Sequence, residues 1–296
     1  MKKFKPRIYL PTNSGFNLVE IAVVLVIAAL LAMTLMPRLS VQIDQQRLTD
    51  DQALLKDANA GLKNFIMLNG RMPCPATATS NGYESLTIVT PAPALQVACN
   101  VAFGYLPGRT LGLTNLDSKG LVPNAWGKNT NNTNNSFSLR YAVTDLNGVG
   151  VPASLSQALV NISPTSRWPL NGQKRDDIQA ALNLTDPVNG VGISLCTNVV
   201  GLTLASLNCG VSGAVFLTDV LAVIISPGAA ADVGISPFEI QNNIAGAHAG
   251  RAFYRLPYAG SPVGDASALH FDDTFEVITF SDLLSTLIAG GWTPNL

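Results

Sequence analysis

The sequence predicts an α+β fold, with a long N-terminal α-helix, transmembrane in its first half, leading into a mostly β, disulfide-containing globular head. Three observations lead there. Residues 16–36, FNLVEIAVVLVIAALLAMTLM, are polar only at Asn17, Glu20 and Thr34, and these 21 residues at about 1.5 Å each span the ~30 Å hydrocarbon core of a bilayer. Beyond them a leucine stripe keeps helical spacing. The rest of the chain breaks into short β-rich runs between Gly, Pro and Asn, with four cysteines in two local pairs.

Residues 1–15 hold Lys2, Lys3, Lys5 and Arg7 and no acid. Basic flanks stay cytoplasmic, so this end is expected inside and the remainder across the membrane. The apolar run is longer than the 7–15 residues of a secretory signal core, and its best cleavage point, Gly15-Phe16, lies before it rather than after it. Glu20 does not suit a simple anchor. A carboxylate within a spanning helix costs roughly 2.5–3.5 kcal/mol on insertion scales, which calls for a partner charge. A cut between Gly15 and Phe16 supplies one, by placing the new Phe16 ammonium in the apolar layer beside Glu20 of the same chain or a neighbour.

Past Pro37, Leu48, Leu55, Leu62 and Phe65-Ile66 recur at helical spacing with Ala58 among them, while Asp50, Asp51, Lys56, Asp57 and Lys63 fall largely off that stripe. The helix is expected to stop at Asn69-Gly70, ahead of Pro73 and Pro75, which exclude further helix. The organisation is therefore a leader over 1–15, a helix over 16–70 with its membrane part at 16–36, and a head over 71–296.

In the head, strands are expected at Ser85–Val89, Ser138–Val143, Val215–Ile225 (whose apolar run also fits a helix in part) and Thr274–Phe280. Short helices are expected at Asp176–Leu184 and Ser281–Ala289, the latter with Ser281 as N-cap and Asp282 in its first turn. Lys128–Ser136, KNTNNTNNS, reads as a polar loop whose sequons follow from its asparagine content. Cys74, Cys99, Cys196 and Cys209 lack CxxC spacing and the chain has two histidines, so disulfides are expected rather than zinc. Four cysteines allow three connectivities; proximity favours Cys74–Cys99 and Cys196–Cys209. With the leader removed, 14 basic residues face 19 acidic ones, a formal charge of −5 and no bulk nucleic-acid footprint.

Gly15-Phe16-Asn17-Leu18-Val19-Glu20 resembles the processing site of type IV prepilins and type II secretion pseudopilins. Pro37 falls at position 22 of the processed chain, where many pilins carry a helix-bending proline. Asn17 departs from the threonine more often found there, a change that bears on hydrogen bonding at the new N-terminus. Asn124-Ala125-Trp126-Gly127, followed by Ser138–Val143, is similar to the tryptophan-glycine turn and strand of pseudopilins, although an asparagine-rich insertion separates the two here. Tryptophan and glycine at such a turn also have an ordinary packing explanation.

The resemblance implies cleavage by a prepilin peptidase, N-methylation of Phe16, residence in the bacterial inner membrane as a single-pass protein with a periplasmic head, and assembly with other pilins or pseudopilins on an inner-membrane platform. A cell-surface location follows if the filament is extruded. It also implies that the second half of the helix packs on the head of its own subunit, and that Glu20 pairs with a neighbour's N-terminus. A 226-residue head is large for a repeating subunit, which favours a minor pilin or pseudopilin. The alternative is an anchored or filament-displayed binding module whose head recognises a surface, a substrate or DNA. The chain is not read as an enzyme: it has no G-x-S-x-G, Walker A or H-E-x-x-H motif, and His248 and His270 read as turn residues. No cofactor or metal is assigned; calcium is the alternative, since related major pseudopilins use head loops as calcium sites and Asp145–Gly148 or Asp272-Asp273 offer oxygen ligands.

Overall fold

The structure is a computed structural model that describes residues 17–69, 72–89, 96–127, 135–143, 193–197, 206, 209, 215–229, 231, 242, 252–255 and 272–291, with only the backbone course described for 32–41, 88–89, 96–98, 215–216, 218–219 and 287. It is a mixed α and β protein of two compact units, residues 1–48 and 49–296, whose boundary falls inside the first helix.

Helix α1 runs from Leu18 to Asn69. It continues on both sides of Pro37, where the missing N–H and the ring remove one bond of the helical ladder without ending it. In the first unit, every residue from Asn17 to Leu31 is exposed, Leu18, Val24 and Leu25 at more than 60%. A helix apolar on all sides lacks the polar face that water requires. Among the described residues no helix is long and apolar enough to cross a membrane. The described apolar part of α1, 18–31, is about 21 Å long, against the ~30 Å hydrocarbon core of a bilayer.

In the second unit the helix has a buried face. Leu55, Ala58, Leu62 and Ile66 enter the main core with Met72, Leu106, Leu139, Tyr141 and Ile224. That much of the leucine stripe packs as expected. Asp51 does not fit the expectation: it is 1% exposed and sits one turn before Leu55 on the same face.

A six-stranded sheet supports that face. Its path is β3 (Phe103–Tyr105), β4 (Arg140–Val143), β6 (Val215–Ser226), β5 (Ile193–Cys196) and β7 (Ala252–Tyr254), with β8 (Thr274–Thr279) also paired to β6. All pairs are antiparallel except β5 with β7. Val220 pairs with both Ile193 of β5 and Thr279 of β8, so those strands flank β6 on opposite sides. The strand core Val220–Ile225 is wholly buried: Leu221, Ala222 and Ile224 join the helix-side core, while Val220, Val223 and Ile225 join a second cluster with Phe103, Leu195 and Phe253. A central strand covered on both faces explains an unbroken apolar run in place of alternation. The helical alternative for part of this segment is thereby corrected.

A hairpin of β1 (Leu86–Val89) and β2 (Gln96–Cys99) forms a separate two-stranded sheet. Disulfides join Cys74 to Cys99 and Cys196 to Cys209. The chain closes its described part with helix α2 (Phe280–Ala289). Its N-cap is Thr279, not the expected Ser281: the Thr279 hydroxyl accepts from Asp282 N–H while the Asp282 carboxylate accepts from Thr279 N–H. This reciprocal pair starts the helix two residues early and takes Phe280 out of β8. The expected helix at 176–184 and residues 128–134 of the polar loop lie outside the described residues.

Candidate functional site

Two polar arrangements stand apart from the packing. The first opens α1. Asn17 carbonyl oxygen accepts from Glu20 N–H at 2.9 Å and Ile21 N–H at 3.3 Å, which makes Asn17 the N-cap. The Glu20 carboxylate reaches back to Asn17 N–H at 3.3 Å, and Asn17 Oδ1 faces Val19 N–H at 3.5 Å. Asparagine here thus caps its own helix, and glutamate at the third helical position is where a capping box places it. Glu20 is exposed, and a carboxylate has lone pairs beyond the one this bond uses. Gly15 and Phe16 lie outside the described residues. Pro37 lies within the helix on its described backbone.

The second arrangement is buried where α1 meets the sheet within the second unit. Asp51 accepts from Thr274 Oγ1 at 2.9 Å and from Ala125 N–H at 3.3 Å. Asp272 accepts from Ala229 N–H at 2.7 Å, and Asp273 from Gly228 N–H at 3.4 Å and Asn242 Nδ2 at 2.9 Å. Gly228 is required: a Cβ there would lie 1.9 Å from Asp272 Cγ. Asn242 is oriented by Tyr254, donating to its carbonyl at 2.8 Å and accepting its N–H at 3.0 Å, so its amide nitrogen must face Asp273. Arg140, 3% exposed, lies with its guanidinium 4.5 Å from the Tyr105 ring centre.

Burial pushes the Asp273 carboxyl from 3.8 up to about 7; Asp272 adds to the rise, while Asn242, Gly228 and Arg140 oppose it. Burial likewise raises Asp51, with Asp272 adding and Ser226, Thr274 and Ala125 opposing. Burial lowers Arg140, partly offset by Tyr105 and Asp273.

The tryptophan-glycine turn is present, and Asn124 organises it. Asn124 is fully buried, donates from its side chain to Pro227 carbonyl oxygen and accepts Gly127 N–H at 2.8 Å. Trp126 is only half-buried, and a Cβ on Gly127 would lie 2.5 Å from Phe137 Cβ. The turn is thus pinned by asparagine and glycine more than by the indole. Among the described residues no group of three or more His, Cys, Asp or Glu side chains is placed to hold a metal ion. Asp272 and Asp273 are turned inward onto backbone and amide donors; Asp145, Asn147, His248 and His270 lie outside the described residues. Asp51 and Asn242 are the residues that sequence reasoning missed. The four-residue step from Asp51 to Leu55 was a usable signal; none marked Asn242.

Comparison with protein-family models, curated proteins and solved structures finds no match to this chain.

Proposed function

We propose that the chain is a prepilin-type structural subunit, a minor pilin or pseudopilin of a type IV pilus or type II secretion-type filament. The observation that carries this reading is a helix apolar on every side, opened by Asn17 and Glu20 immediately after Gly15-Phe16. A prepilin peptidase cuts between Gly15 and Phe16 on the cytoplasmic face, Phe16 is N-methylated, and the subunit waits in the inner membrane with its head in the periplasm.

On extraction into a filament, the exposed surface around Leu18, Val24 and Leu31 is covered by the helices of neighbours. Burying that surface drives bundling. Glu20 then exchanges its local Asn17 bond for a neighbour's Phe16 ammonium, and any other axial stagger leaves two charges unpaired in an apolar core. The large head favours a minor, priming or tip-proximal place. In cells carrying the assembly machinery, the Glu20→Ala chain is expected to be processed yet missing from the sheared filament fraction. Full recovery of Glu20→Ala in that fraction contradicts the pairing.

A further inference from the structure

The buried cluster under α1 holds more acid than base. Asp51, Asp272 and Asp273 are each 5% exposed or less, and Arg140 is the one buried cation among the described residues. The groups facing them are Asp51 from α1, Arg140 from β4, Tyr105 from β3 across the guanidinium, Tyr254 from β7 through Asn242, and Glu276 further along β8, which accepts Asn59 Nδ2 of α1 at 2.6 Å. With Asp51 and Asp273 both ionised against Arg140, negative charge exceeds positive charge among the described residues of a low-dielectric interior. Such a site takes up a proton instead.

Hydrogen-bond chemistry says where. Both partners of Asp273, Gly228 N–H and Asn242 Nδ2, can only donate, and Tyr254 prevents the Asn242 amide from turning. Ala229 N–H on Asp272 is likewise a fixed donor. The donors on Asp273 favour carboxylate there, and Arg140 acts in the same direction. Asp51 takes the fixed Ala125 N–H on Oδ1, but its Oδ2 meets Thr274, a hydroxyl able to rotate from donor to acceptor. The Ser226 hydroxyl is also buried close by, interacting with Asp51 but without a hydrogen bond of ordinary geometry.

We infer that α1 is fastened to the sheet by a proton-dependent latch, in which Asp51 docks as a neutral carboxyl on Thr274 and its ionisation weakens the attachment of residues 49–69. This holds whether or not the chain assembles into a filament. The raised carboxyl of Asp51 agrees with it in sign. A group whose folded value lies above its unfolded one gives stability that is complete below the unfolded value, here 3.8, and is lost as pH rises through the folded value.

The test is thermal unfolding of the full chain in detergent micelles between about pH 4 and 8.5, for wild type, Asp51→Asn, Asp273→Asn and Thr274→Val. The wild-type midpoint is expected to fall by roughly 5 °C or more across that range. Asp51→Asn, a neutral isostere able to donate to Thr274, should remove most of the fall and match or exceed wild type at the alkaline end. Thr274→Val should lose the advantage at the acid end. A wild-type midpoint that is flat or rises with pH overturns the latch. So does an Asp51→Asn chain that keeps the wild-type slope or fails to fold, and so does loss of the slope in Asp273→Asn alone, which would put the proton elsewhere.

Discussion

Single residues in the second unit act through what they leave behind when removed. Asn124 satisfies the Pro227 carbonyl in a fully buried turn, so Asn124→Ala should destabilise the head by about 1–3 kcal/mol, while Gly127 N–H keeps the Asn124 backbone carbonyl at 3.1 Å. Chemical denaturation read by tryptophan fluorescence checks this, since Trp126 sits in the same turn. Asp51 makes the related point about legibility. A charged residue is assigned to the solvent face by default, yet the spacing 51, 55, 58, 62, 66 is one continuous helical stripe with an acid at its head. Composition outweighed periodicity in that reading, and the polar groups that make burial tolerable, Thr274 and Ala125, lie 223 and 74 residues away. Asn242 was beyond reach for the same reason: its role is defined only by β7 and the turn before β8.

Elements with strong periodic or capping signals were legible, and elements defined by pairing were not. Helix α1 and its stop near Asn69, the strands at 86–89, 140–143 and 274–279, and the C-terminal helix all lie where sequence signals put them. The three- or four-residue strands β3, β5 and β7 carry no alternation long enough to read, and exist because β4, β6 and β5 offer them edges. The capping error at α2 arose because Ser281 is as good an N-cap by type as Thr279, but only Thr279 has Asp282 three residues on. Thr279→Ala should cost about 1 kcal/mol, whereas Ser281→Ala should cost much less. On α1, Leu62 is fully buried in the main core, so Leu62→Ala should cost roughly 2–5 kcal/mol. The same variant at exposed Leu68 should stay within about 0.5 kcal/mol. Urea denaturation of the two pairs of variants separates these expectations.

For the whole molecule, the two units differ in what they bury and what they expose. Residues 49–296 bury apolar cores on both faces of the sheet and hold two local disulfides, which suits an oxidising compartment. Residues 17–31 present apolar side chains in all directions, a surface that water alone does not stabilise. The filament reading gives that surface two successive environments, lipid and then neighbouring helices, and gives Glu20 a counter-charge that exists only after Gly15 has been cut away. Opening the Cys196–Cys209 bond, whose cysteines are 13 residues apart, should lower stability by about 2–4 kcal/mol in the Cys196→Ser/Cys209→Ser chain, read by urea denaturation.

The central claim is that processing creates the charge Glu20 needs. Its most direct test is the intact mass and N-terminal sequence of the protein from its native membrane, beside a Gly15→Ala variant. An N-methylated Phe16 is expected as first residue of the native protein, and an uncut Met1 chain in the variant. A native protein that keeps its Met1 leader, or is cut beyond Met36, contradicts it.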